Sequence, residues 1–138
     1  MEREVRYCTT DDGVRIAYSV EGDGPPLLVC SMWFDSFAYT ITGYDQFQSK
    51  LAKGRQLLRY DTRGIGLSDR QPADVRGQAL VLDIEAVARS CDLHRFAIFA
   101  AGLAGPKAIA FAAAHPEDVS HLILFETYAN PRDVHSPE

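Results

Sequence analysis

Four short apolar runs, PLLVCS, RQLLRYD, FAIFA and SHLILFE, punctuate the chain between Pro26 and Glu126, and each is followed or preceded by a stretch of helical period. A run without a polar face must be covered on both sides, which is the condition of a strand inside a parallel sheet rather than at a wet surface. The intervening stretches supply the cover. YDQFQSKLAK reads as a helix, QALVLDIEAVARSCDL places Leu80, Ile84, Val87 and Cys91 on one face, and LAGPKAIAFAAA is small-sided nearly all round, as suits a helix pressed against a sheet. The alternation predicts an α/β chain with right-handed crossovers.

Ahead of the first run, EVRYCTT and VRIAYSV alternate apolar with polar residues around DDG, the pattern of a two-stranded hairpin. Pro106 falls in the first turn of the alanine-rich helix, where a missing amide hydrogen costs little, and HPED after Ala114 stops it. The expected architecture is a three-layer sandwich with an N-terminal hairpin and a mainly parallel sheet. A length of 138 residues suits one domain, 1–138, with an irregular tail over 127–138.

The balance of charge and cysteine narrows the function classes. A formal net charge of -5 argues against nucleic acid or an anionic membrane as the main partner, because both would repel the average surface. The N-terminus is charged, and no run approaches the roughly 18 apolar residues of a membrane span. Cys8, Cys30 and Cys91 are too scattered for a disulfide framework, and no Cys/His cluster has metal-ligand spacing. These features imply a cytoplasmic protein with neither metal nor cofactor.

Two segments go further. In YDTRGIGLSD, Tyr60 to Asp69, the glycines permit a sharp change of direction, Asp61 and Ser68 can bond nearby backbone, and Arg63 can anchor the loop electrostatically. In FAAGLAGP, Phe99 to Pro106, an apolar strand runs through small residues straight into a helix. With DGVRIAYSVEGDGPPLLV and AFAAAHPEDVSHLILFE, these segments resemble the α/β-hydrolase family from about Tyr7 to Pro131, which leaves little room for a Rossmann reading. The GDGP, Trp33, RGxGLSD and HPE pattern is closest to the hydrolase-like domains at the N-terminus of some bacterial nucleotide cyclases and LuxR-type regulators, and suggests shared ancestry or a sensory role.

The resemblance carries expectations residue by residue. Ala100, Gly102 and Ala104 fall on the G, S and G of G-x-S-x-G, so Gly102 stands where the family's nucleophilic serine belongs: the strained turn can form, but it has no side chain to attack a carbonyl. The N–H groups that would hold an oxyanion belong to Leu103 and to the Ser31, Met32 and Trp33 region, a candidate substrate-binding set that can grip an oxygen without chemistry. Glu126 matches a position where some members carry the acid, although a carboxylate at a strand end also reads as polar capping. Cys30 reads as a buried strand cysteine or as an unorthodox nucleophile, and His94, His115 and His121 as element ends. His135 falls in the tail, and the family's last two strands, with the triad histidine, are not represented.

Three functions follow as expectations. The first is a hydrolase-lineage protein without catalysis that binds a small molecule at the elbow. The second is a hydrolase of esters or similar acyl substrates using a non-standard nucleophile or partner-supplied residues. The third is an interaction module. The sixth strand would present an open edge, so a homodimer or a second chain joined through that strand is expected.

Overall fold

The computed structural model describes residues 3–30, 36, 37, 44–130 and 132. Strands β1 (Arg6–Thr9), β2 (Arg15–Glu21), β3 (Pro26–Val29), β4 (Gln56–Tyr60), β5 (Phe96–Ala101) and β6 (Val119–Phe125) form one sheet in the order β1-β2-β4-β3-β5-β6. Helices α1 (Tyr44–Leu51), α2 (Gly77–Ser90) and α3 (Gly105–Ala114) make the three crossovers. β1 and β2 pair antiparallel, β2 lies antiparallel to β4, and the other neighbours are parallel. The architecture is the α/β sandwich that the apolar runs dictate.

The sheet divides the core. On one side Leu28, Leu58, Ile98 and Ala100 meet Ile84, Val87 and Ala88 of α2 and Ala104, Ala108 and Phe111 of the α3 side. On the other, Leu27, Val29, Leu57 and Phe99 form a smaller cluster under Leu51 and Ala52. The continuous apolar character of β3, β4 and β5 follows from this double burial.

Two helical faces differ from the sequence reading. The buried residues of α2 are Ala79, Asp83, Ile84, Ala86, Val87 and Ala88, with Leu80 only half-buried, because the helix turns a carboxylate inward toward the loop after β4. α3 buries Gly105, Lys107, Ala108 and Phe111 and leaves Ala110, Ala113 and Ala114 exposed, so it is one-sided rather than enclosed. Its start is also later, since Gly102–Ala104 form a 3₁₀ turn before the helix. Beyond β6, residues 127–130 carry no helix or strand, and His135 lies outside the described residues.

Candidate functional site

The crossovers determine where a crevice can open. The chain leaves β3 for α1 on one face of the sheet, and leaves β5 for α3 on the other, although β3 and β5 are neighbours. Loops that depart to opposite faces from adjacent parallel strands leave a crevice outside their carboxyl ends, where α/β sheets bind ligands. The elbow lies at the carboxyl end of β5, the position this rule marks.

Gly102 is the first residue of the elbow and takes φ +54°, the left-handed conformation that side chains resist. Leu103 follows at the tip and is 49 % exposed. Its N–H lies in the first turn of a helical run, where no preceding carbonyl stands in register to accept it. The Gly102 carbonyl accepts the Gly105 N–H and the Thr127 hydroxyl, so the turn is closed from both sides. Gly105 is needed for that closure: a Cβ there would lie 1.8 Å from Thr127 Oγ1.

The other expected residues are placed as follows. Ser31, Met32 and Trp33 lie outside the described residues. Glu126 is exposed, in the turn after β6 with φ +45°, and its neighbour Thr127 is the residue that reaches the elbow. Cys30 is 1 % exposed in the core under α2 and α3, and burial pushes its thiol pKa up, against the opposing pull of Lys107 and Tyr60. A protonated, enclosed thiol is no nucleophile, so the core reading of Cys30 stands.

The three described histidines serve elsewhere. His115 closes α3 and meets Glu85 Oε1 of α2 at 2.8 Å, His94 meets Asp92 Oδ1 at 3.1 Å before β5, and His121 contacts Ser120 Oγ at 3.1 Å at the start of β6. All three sit toward the end of the sheet opposite the elbow. Among the described residues no His/Cys/Asp/Glu group can hold a metal ion.

The loop after β4 is built differently, from buried charge. Asp61 accepts from Ser36 Oγ at 2.8 Å, the Leu67 N–H at 2.8 Å and the Phe37 N–H at 3.1 Å. Burial pushes its carboxyl pKa up, and those three donors pull it down. Gly66 lies against this carboxylate at φ +54°, and a Cβ there would fall 2.1 Å from Asp61 Oδ2. Ser68 donates to the Asp61 carbonyl at 2.6 Å and accepts the Ala17 N–H at 2.9 Å, tying the loop to β2.

Arg63 is the second anchor. It donates through Nε to Asp83 Oδ1 at 2.8 Å and through its backbone N–H to Asp83 Oδ2 at 3.0 Å, while its two terminal nitrogens hold Asp12 at 2.7 and 3.0 Å. Burial works against the guanidinium charge, but the hydrogen bonds of Asp12 and Asp83 outweigh it. Asp12 in turn is lowered to about 2 by the Arg63 hydrogen bond. Lys107 is also buried: its ammonium donates to Thr62 Oγ1 at 2.8 Å, 5.5 Å from the Tyr60 ring centre. The sequence reading missed it among alanines, although a single lysine inside an apolar helix face was the available signal.

Comparisons with known proteins agree with this architecture. No family model matches the chain. Uncharacterized proteins of Mycobacterium tuberculosis and Mycobacterium bovis are 29% identical over 125 residues, and the match covers 91% of this chain and 36% of theirs. The chain therefore spans about a third of the length of these curated relatives.

Among solved structures, an esterase from Exiguobacterium antarcticum matches with TM-score 0.79 and 21% identity, over 97% of this chain and 50% of the esterase. An α/β hydrolase from Sphaerobacter thermophilus matches with TM-score 0.75 and 22% identity, over 88% and 45%. A bacterial membrane phospholipase A matches with TM-score 0.78 and 21% identity, over 91% and 40%. The chain has the α/β-hydrolase fold.

Proposed function

We propose that this protein is a hydrolase-fold chain that has exchanged catalysis for binding, and that it holds a small oxygen-bearing ligand, a carboxylate or an ester carbonyl, at the elbow. The observation that carries the reading is Gly102 at φ +54°, a bend of the kind that displays a nucleophile, here without any side chain. Leu103 N–H is the donor, Ser31, Met32 and Trp33 are the residues that the family resemblance adds to the binding set, and Glu126 has no part in proton transfer. Three free thiols suit a reducing compartment, the cytoplasm. The likeness of its motifs to the hydrolase-like domains of bacterial regulators suits a sensing role.

Short-chain carboxylates and esters, titrated one at a time, test the proposal. A ligand at one hundred times its Kd is expected to stabilise the fold by about 2.7 kcal/mol and to shift the Leu103 amide resonance. A panel that leaves both the melting temperature and that resonance unmoved contradicts it.

A second reading is hydrolysis of ester or similar acyl substrates. The solved neighbours include proteins described as an esterase, epoxide hydrolases and a phospholipase. It requires a nucleophile other than Gly102 or residues from a partner, and it is expected to give saturable hydrolysis that disappears in Ser31→Ala.

A further inference from the structure

A strained piece of backbone brings Thr127 to the elbow. β6 runs in register with β5 as far as Phe125, which lies beside Ala101, the residue before Gly102. Glu126 then takes φ +45°, a left-handed conformation that a residue with a Cβ resists. Immediately after this kink the half-buried Thr127 side chain packs on Gly105, so closely that a Cβ there would lie 2.8 Å from both its Cβ and its Cγ2. Strain kept beside a candidate site asks what it holds in place.

It holds a peptide unit. The Gly102 carbonyl and the Leu103 N–H belong to one planar trans amide, so they point in opposite directions. A carbonyl oxygen has two lone pairs, and here one accepts the Gly105 N–H and the other the Thr127 hydroxyl. The carbonyl is thereby directed forward into the turn, toward α3, and the Leu103 N–H back out of it, beyond the carboxyl end of β5. The bond from Gly105 is of the 3₁₀ type, whose geometry is poorer than that of an α-helix, and Gly102 lets the amide swing because no Cβ restricts its backbone. A swing of a few tens of degrees breaks the Thr127 bond and turns the N–H away from a ligand's oxygen, since hydrogen bonds weaken steeply off axis.

We infer that Thr127 is a positioning residue: by holding the Gly102 carbonyl it aims the Leu103 N–H at the ligand's oxygen, and the left-handed turn at Glu126 delivers it there. The hydroxyl touches no ligand and acts through the amide. It also acts on the strength of the donor, because a hydrogen bond to the carbonyl polarises the peptide and makes its N–H a better donor in turn. The inference rests on the proposed ligand site at the elbow, but the orientation of the amide belongs to the free chain and is measurable without ligand.

The residual dipolar coupling of the Leu103 N–H and the carbonyl carbon shift of Gly102 report the amide in the free chain, and titration with butyrate reports its use. In Thr127→Val the carbonyl carbon is expected to move upfield, the Leu103 coupling to change relative to those of β5, and butyrate to bind about five- to tenfold more weakly. Thr127→Ser keeps the hydroxyl and is expected to restore all three. Asp12→Asn, which weakens the separate Arg63 anchor, is expected to leave the Leu103 coupling and the butyrate affinity unmoved. A Leu103 coupling unchanged in Thr127→Val overturns the inference whether or not butyrate binds, and so does equal butyrate affinity of the natural and valine chains. A serine variant that behaves like valine, or a valine variant that fails to fold, overturns it too, since the side chain would then be structural. A natural chain that ignores butyrate while its Leu103 coupling still depends on the hydroxyl refutes the elbow site and upholds the orienting role of Thr127.

Discussion

The loops after β4 and after β5 leave neighbouring parts of the same sheet and are held by opposite means. The β4 loop is saturated with buried charge: Asp61 takes three donors, and Arg63 is shared between Asp83 and Asp12. The β5 elbow is fixed by backbone shape, with glycines at 102 and 105 and one hydroxyl, that of Thr127. The first arrangement resists change because every charge depends on its partners. The second leaves its tip chemically bare, which suits a surface that receives a ligand and does not react with it.

On this contrast, substitutions in the β4 loop cost stability, and those at the elbow tip cost little. Asp83→Ala leaves the Arg63 guanidinium buried without its inner partner and is expected to lower the unfolding free energy by about 3–5 kcal/mol, read from urea denaturation. A loss under 1 kcal/mol would erase the distinction between the two loops.

Gly66→Ala and Gly105→Ala place a methyl group on Asp61 and on Thr127 respectively, each at an expected cost of about 1–3 kcal/mol. The partners separate them. Thr127→Gly removes the atoms that Gly105→Ala strikes and is expected to restore much of its loss in a double-mutant cycle, whereas it leaves Gly66→Ala unchanged. Thr127→Val keeps the shape and deletes the hydrogen bond to the Gly102 carbonyl, for about 1 kcal/mol in thermal denaturation.

The smallest effect is titration of the Asp12 clasp. Its folded pKa, about 2, lies below the ordinary 3.8, so its contribution is present above pH 4 and fades as pH falls through about 2. Asp12→Asn is expected to flatten that acid limb of the stability profile, and an unchanged limb would remove Asp12 from the anchor.

The strands and helices along the chain were legible because an apolar run of five residues has few ways to be buried, and Pro106 and HPED mark where α3 begins and ends, but the order of the strands within the sheet was not read from the sequence. The anchoring roles of Asp61, Arg63 and Ser68 were legible from their own segment. Their partners were not: Asp83 and Asp12 stand 20 and 51 positions from Arg63, and only the folded sheet brings them together. The same inward turn of Asp83 displaced Leu80 from the buried stripe read for α2. At the elbow the sequence indicated Gly102 and Leu103, but it gave no sign of the Thr127 contact, because the turn at Glu126 after β6 decides which side chain reaches the elbow.

Ester turnover, followed together with covalent labelling by a fluorophosphonate, bears most directly on the bare elbow. Neither the natural chain nor Gly102→Ser is expected to hydrolyse a chromogenic ester above the buffer rate, since none of the described histidines lies at the elbow and a serine without an imidazole beside it remains a poor nucleophile. Saturable turnover by the natural chain would contradict the assignment of this elbow to binding alone.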